Sequence, residues 1–409
     1  MVGAGCGLQV LQAGLLHHAF GGYLAVLQDD RGWNKTQLSG AAALQQMESA
    51  IIGPALGWVM DRFGPQGLIR LGVLTFGLGF MALSFIDTLP EFYAAFIVIA
   101  LGSSMCGFFP INVALINWFE RWRARALSAL SLGLALGGIS VPIVGWSLVH
   151  FGWRATAFGS GVFAIAVGLP LAMVMRRRPE DYGETVDGIS QPSDSLKVSE
   201  DATSSARDFT AREALRTPAF WLLSLGHGFA LLVVGAVNVH AIAHMKESLA
   251  YTVSAAALVI TLVTLFQICG VLLGWVIGDR FEKRLIAAAC MLMHSLGLLA
   301  LTYAGAAAST TLWIIAFAAL HGVAWGLRGP FMHAIRADYF GRSAIGMILG
   351  LSFMIIVIGQ AGGPMIAGML ADITGNYRTG FTVLALLAGV GSMFFVLAKR
   401  PAPPLRSAA

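Results

Sequence analysis

The sequence predicts an all-α membrane protein with twelve transmembrane helices in two pseudo-symmetric six-helix bundles. Three observations carry this. Apolar residues make up 57% of the chain and charged residues only 11%, against roughly one quarter charged in soluble domains. Hydropathy resolves twelve apolar stretches, and each is long enough for a bilayer core that takes about 20 helical residues. Finally, Gly57-Trp58-Val59-Met60-Asp61-Arg62-Phe63-Gly64 returns, nearly intact, as Gly274-Trp275-Val276-Ile277-Gly278-Asp279-Arg280-Phe281. In so apolar a chain, two related halves point to a secondary transporter with its site between them.

The spans follow in order. Span 1 (7–27) is apolar around Gln9, Gln12 and Tyr23. Span 2 (38–60) holds Gln45 and Glu48 and closes on Asp61-Arg62. Span 3 (68–87) follows Gly64-Pro65, and span 4 (91–117) carries Pro110. Span 5 (126–150) follows Arg121, Arg123 and Arg125. Span 6 (154–175) begins after Gly152-Trp153 and stops at Arg176-Arg177-Arg178-Pro179. Residues 176–215 form the one long polar stretch, rich in Ser, Asp, Glu and Thr. With little to bury it is expected to be a flexible cytoplasmic linker, in which Phe209–Arg216 suits a short amphipathic helix on the membrane surface. Spans 7–12 then run 218–245, 252–277, 284–305, 310–335, 344–370 and 378–398. The expected domains are a first bundle at 1–175, the linker at 176–215, a second bundle at 216–400 and a cytoplasmic tail at 401–409. Span 1 is too long and too polar-flanked for a cleaved signal segment.

Basic residues set the orientation. With the N-terminus inside, twenty Lys and Arg fall on the cytoplasmic side, Arg336 among them, and five fall outside (Arg31, Lys35, Arg154, Lys246 and Arg378). That bias places both termini in the cytoplasm and explains the net charge of +5 without nucleic acid. Cys6, Cys106, Cys269 and Cys290 lie in or beside apolar runs without metal-ligand spacing and read as reduced packing residues. His240 and His244 have i,i+4 spacing but no acidic or cysteine partner nearby, so no metal site and no cofactor is implied. No catalytic set is present, and the chain does not read as an enzyme.

The repeat has further landmarks. Pro110 and Pro330 are 220 residues apart, each followed by an aromatic pair and arginine. Gly152-Trp153-Arg154 after span 5 corresponds to Gly375-Asn376-Tyr377-Arg378 after span 11. The loop at Gly57, Asp61, Arg62 and Gly64 resembles the signature loop of the major facilitator superfamily. Its echo between spans 8 and 9, the central linker and the twelve spans fit that fold. Asn117-Trp118-Phe119 with Arg123-Ala124-Arg125-Ala126-Leu127-Ser128, and Arg328-Gly329-Pro330 with Ala337-Asp338-Tyr339-Phe340-Gly341-Arg342, are similar to the bacterial monocarboxylate and oxalate/formate porter branch. That resemblance implies a multi-pass protein of a bacterial inner (plasma) membrane, working as a monomer in the lipid bilayer. It also implies that spans 1, 4, 7 and 10 line a central cavity. The branch often carries its membrane arginine in span 8; here span 8 has Thr261, Thr264 and Gln267 but no charge, and the arginine is in span 10.

Arg328 is the strongest single signal. An arginine near a helix centre costs about 3 kcal/mol on insertion scales and cannot shed its charge. It shares a stripe with His321, Trp325 and Met332, while its repeat counterpart is Phe108. A guanidinium beside an aromatic and an imidazole suits a carboxylate on an apolar body; the alternative is an inter-helix salt bridge. Glu48, the only acid near the middle of a span, is a candidate proton-coupling group. It could equally pair with Arg328 or form a lateral helix contact. Tyr23, Asn112, Asn238 and His227 are candidate substrate contacts, each with ordinary inter-helix hydrogen bonding as the alternative. Gln9, Gln12 and Phe20 lie on the stripe of Tyr23. Asp61, with Arg62, Gly57 and Gly64, reads as a cytoplasmic latch near the N-terminus of a neighbouring span, closed with Arg121 or Arg342. Asp279 and Arg280 are its weaker counterpart, and a tight turn is the alternative.

Two functions compete. One is proton-coupled uptake of a small organic anion, monocarboxylate-like, by alternating access, with protons and that anion as the partners. The other is proton-antiport efflux of an amphipathic compound, for which Gly350, Gly359 and Gly363-Pro364 in span 11 are weak support. A membrane receptor without transport lacks an extramembrane domain to support it.

Overall fold

Every regular element among the described residues is helical. Those residues are 1–33, 35–188, 207–305 and 309–404 of the computed structural model. The first half contains α1 (Val2–Gln12), a π-helical turn (Ala13–His18), α2 (Phe20–Arg31), α3 (Lys35–Phe63), α4 (Pro65–Leu83), α5 (Leu89–Cys106), α6 (Phe108–Trp118), α7 (Arg123–Leu136) and α8 (Val141–Val174). After the short α9 (Ala211–Leu215) come α10 (Pro218–Leu249), α11 (Val253–Ile277), α12 (Lys283–Tyr303), α13 (Thr310–Phe340), α14 (Ile345–Thr374) and α15 (Arg378–Leu397). The twelve predicted spans all have helical counterparts. Nine helical stretches among the described residues are long and apolar enough to cross a membrane. Spans 1, 2 and 5 are not among them. Spans 1 and 5 are divided into shorter pieces, and α3 is diluted by Gln45, Gln46, Glu48 and Ser49.

The breaks have local causes. In span 1, Gly14 meets Gly137 and Ser140 so closely that a Cβ would collide with both, and the π turn sits there. Span 4 breaks at Gly107, whose extended backbone (φ −89°, ψ −151°) separates α5 from α6. In the repeat, Leu327 stands where Gly107 does, and α13 runs through Pro330 unbroken. The prolines recur, but the kink does not. Gly152 (φ 75°) turns the chain inside α8, and Gly375 (φ 76°) does the same before α15, so this repeat landmark has a shared backbone requirement.

The chain divides into two compact units. Unit 1 takes residues 1–205 and 342–350, and unit 2 takes 206–341 and 351–409. The expected border at the linker is therefore modified by a short piece of α14 that belongs with the first half. In unit 1, α4 packs on α5 and α8, with Phe76, Phe80, Phe92 and Phe96 buried. A Cβ on Gly72 or Gly102 would meet facing backbone, so these helices touch main chain to main chain. In unit 2, α13 packs between α11 and α12, and Gly322 and Gly326 lie against the Val263 and Gln267 carbonyls of α11.

The linker is not uniformly flexible. Residues 189–206 lie outside the described residues, but 176–188 form a strap on unit 1. Arg176 bonds Glu184 at 3.3 Å and covers the Tyr182 ring at 4.3 Å. Asp187 accepts hydrogen bonds from the amides of Glu120, Arg121 and Trp122, the shortest 2.8 Å. The predicted amphipathic helix is the single turn α9, opened by a Thr210–Glu213 capping box. Arg207, and then Thr210, hold the Glu213 carboxyl down to about 2.

A side chain at Gly326 has no room. Gly326→Val should cost about 1–3 kcal/mol through overpacking and lower the melting temperature of the purified protein. An unchanged melting curve would show that α11 and α13 can separate freely.

Candidate functional site

Arg328 lies at the middle of α13, 1% exposed. Its Nε and Nη1 have no hydrogen-bond partner among the described residues, and it makes no ion pair with a described acid. The salt-bridge alternative for Arg328 is therefore not realised. Its charged and titratable neighbours are Cys290 on α12, His227 on α10, His294 on α12, His321, His333 and Arg336 on its own helix. None is a carboxylate. Leaving a buried charge uncompensated costs several kcal/mol, so this surrounding is complementary to an anion rather than to the empty site.

Three sequence candidates gather here. His321 is fully buried and its Nδ1 lies 3.1 Å from Nδ1 of His294. The Trp325 ring centre is 6.1 Å from that of His321. His227 is 9% exposed, with Nδ1 unpartnered among the described residues. Two further members were not legible. His294 sits alone in an apolar span, and only the packing of α12 on α13 brings it to His321. Arg336 was placed in a cytoplasmic loop because hydropathy ends span 10 at 335. It lies instead inside α13, 1% exposed, donating from Nη1 to the Met332 carbonyl at 2.5 Å and from Nη2 to the Leu223 carbonyl at 3.2 Å. Its spacing of eight from Arg328 was the available signal.

Glu48 belongs to unit 1. Its Oε2 accepts from Ser104 at 2.8 Å and Ser49 at 3.2 Å, while Oε1 has no partner among the described residues. The remaining candidates divide. Tyr23, 1% exposed, shares a 3.1 Å hydrogen bond with Ser160, the inter-helix alternative. Gln9 donates to Gln12, which meets Ser103 and His17. Asn112 is fully buried and donates to the Phe108 carbonyl at 2.6 Å, with Oδ1 unpartnered among the described residues. Asn238 is exposed and is not drawn to the Arg328 cluster. The Phe20 side chain lies outside the described residues. His240 and His244 face the Pro364 and Leu301 carbonyls.

At the end of α3, Asp61 accepts from the amides of Gly346 and Met347, both at 2.8 Å. These are first-turn donors of α14, which a helix N-terminus leaves unsatisfied. The expected arginine partners are not used. Arg342 donates to the Asn117 carbonyl at 2.7 Å and to Glu180 at 3.2 Å, and the Arg121 amide meets Asp187. Glycines permit the approach, since a Cβ on Gly57 would overlap the Gly346 carbonyl. Gly64 (φ 84°) makes the turn, and Arg62 is exposed over Trp58. In unit 2, Asp279 lies 4.0 Å from Lys283, which bonds Asp338 at 2.8 Å, and Arg280 is exposed. A pocket of about 330 Å³ lies further along α13, between Phe281 and Arg400. Its walls carry the Lys283–Asp338 and Arg284–Glu282 pairs, with Lys399 and Arg400 beside them.

Two helical units with a repeated signature loop are the architecture of a membrane transporter, and the family match gives the same class. The sequence model of the Major Facilitator Superfamily matches residues 8–241 and 223–409, and the chain belongs to that family. It is 27% identical over 363 residues to monocarboxylate transporter 13 of Bos taurus, covering 85% of this chain and 76% of that one. Among solved structures it resembles the E. coli fucose:proton symporter FucP, with TM-score 0.72, 17% identity and 98% of each chain covered. It likewise resembles the proton:xylose symporter XylE, with TM-score 0.74, 14% identity and 97% and 94% covered. These likenesses at low identity concern the fold.

Asp61→Asn keeps one acceptor oxygen and loses the charge and one amide bond, worth about 1–2 kcal/mol. Hydrogen exchange of the 342–350 peptide should accelerate roughly five- to thirtyfold on that energy. Unchanged exchange would make Asp61 a turn residue only.

Proposed function

We propose that this major facilitator transporter takes up a small organic anion, monocarboxylate-like, together with protons, by alternating access. The observation that carries the reading is the Arg328 guanidinium, fully buried, without an acid among its neighbours and with two N–H-bearing nitrogens unmet. A carboxylate supplies the missing charge and accepts two parallel hydrogen bonds from the guanidinium fork. Trp325 offers an apolar wall for the rest of the substrate. The relative named a monocarboxylate transporter supports the class, and the relatives of similar fold named proton symporters support coupling to protons.

Glu48 is assigned the proton-carrying role in unit 1. Its unmet Oε1 has room in the hydrogen-bonding scheme for a proton, while the serines hold Oε2 in either state. Asp61 and the first turn of α14 serve as the cytoplasmic latch, with Gly57 and Gly64 supplying the close approach and the turn. The basic bias supports a reading with both termini in the cytoplasm of a bacterial inner membrane, and the proposed carrier is a monomer.

The test begins with a thermal-shift screen of carboxylates and sulfonates, followed by uptake of the hits into liposomes. Arg328→Ala should abolish the ligand-induced shift and nearly all uptake. It should leave the ligand-free melting temperature unchanged or higher, because it removes an uncompensated buried charge. Arg328→Lys should lose most uptake, since an ammonium does not reproduce the fork. Normal uptake by Arg328→Ala sinks the anion site, and a lower ligand-free melting temperature would make the arginine structural.

Coupling is read separately. Glu48→Gln, a fixed mimic of the neutral acid, should retain binding and counterflow exchange but lose much of the acceleration by an inward proton gradient. A variant that responds to the gradient as the wild type does removes Glu48 from the coupling path.

A further inference from the structure

The His294–His321 pair is not used by the mechanism above. Both imidazoles are fully buried, one on α12 and one on α13, and they meet through Nδ1 and Nδ1 at 3.1 Å. Both Nε2 atoms lack partners among the described residues. The proton count of this contact is informative. One Nδ1 must donate and the other accept. The donating ring, if neutral, then has a bare Nε2, and the accepting ring has an Nε2–H. The pair therefore presents one open proton acceptor and one unused donor, both buried. With Nε and Nη1 of Arg328 there are four unmet polar atoms on three neighbouring side chains. An unmet buried polar group costs about 1–3 kcal/mol. Their concentration at one place is that of a site built to bind a polar ligand.

We propose that the His294–His321 pair is a second proton-binding site, filled when a carboxylate occupies Arg328. This rests on the anion reading above and deepens it. The proton enters from the side on which the anion enters, adds to the bare Nε2, and leaves on the far side with the anion. The Nδ1–H···Nδ1 bond persists throughout. A carboxylate on Arg328 and a cationic pair attract each other, and the coupling is reciprocal: each raises the affinity for the other by the same factor.

Among the described residues, no carboxylate acts on the pair. α12 adds Cys290 to the site, and α13 adds Arg328, His333 and Arg336. α10 contributes His227. Of the other packed helices, α11 has only Cys269 among titratable side chains, which is exposed, and α15 has none after Arg378. The pair is the one place beside Arg328 where two imidazoles share a hydrogen bond and leave an acceptor open. With Glu48 as the other proton carrier, a monocarboxylate then travels with two protons, and each cycle moves net positive charge inward.

Calorimetry of the purified protein with formate, acetate, butyrate and benzoate, in buffers of different ionisation enthalpy, counts protons taken up on binding. Wild type should take up protons with the anion. His321→Gln and His294→Gln, whose amides can replace the shared hydrogen bond without titrating, should bind the anion and take up fewer protons than wild type. Unchanged proton uptake in a folded glutamine variant overturns the proposal. In wild-type proteoliposomes at equal pH on both sides, an inside-negative potential should accelerate uptake, and uptake indifferent to potential overturns the two-proton count. Failure of all four acids to bind overturns instead the anion reading beneath it.

Discussion

A guanidinium in an apolar interior, with no acid beside it, is the constraint on which the second unit depends. Water would solvate that charge far better than the helices do, and arginine cannot escape by losing a proton. Folding therefore has to supply enough apolar and backbone contact around α13 to hold it there. The glycines at 322 and 326 bring α13 down onto α11 carbonyls, and α12 covers the opposite flank. Close main-chain packing of this kind is the principal source of helix association where lipid competes with any apolar side chain. The unfavourable charge and the tight helix contacts are two sides of one arrangement.

Imidazoles complete that arrangement. A carboxylate beside Arg328 would have satisfied it permanently and left nothing for an anion to do. His227, His294 and His321 provide polar surface without cancelling the charge. The first unit is organised differently. Its acid, Glu48, is already met by two serine hydroxyls, and Tyr23 is tied to Ser160. The first unit also keeps unmet polar atoms, Glu48 Oε1, Gln9 Oε1 and Asn112 Oδ1 among them, whereas those of the second lie mostly on α13.

How far the sequence reached follows from the range of the interactions. Hydropathy found all twelve spans because the need to bury backbone polar groups in lipid acts on every residue of a span. The turns at Gly152 and Gly375 were legible because positive φ favours glycine. Arg328, His321, Trp325 and Met332 shared a stripe because helical spacing is a local property. Four features were out of reach. His294 joins the cluster only through the packing of α12 on α13. Asp61 takes main-chain amides, which have no sequence signature, where charge alone suggested Arg121 or Arg342. Residues 176–188 read as flexible from composition, yet Asp187 finds three adjacent amides on unit 1. Arg336 was misplaced because hydropathy marks a charged residue as the end of a span whether or not its helix continues.

The two copies of the ancestral half have also parted in stiffness. Gly107 divides span 4 into α5 and α6, while Leu327 lets α13 run as one rod of 31 residues. Span 1 is likewise interrupted by its π turn, while its counterpart α10 is continuous over 32 residues. Mechanical compliance is thus concentrated in the first unit, and the charged cluster is mounted on the rigid one. A sensor on a stiff rod keeps its geometry while softer elements absorb strain.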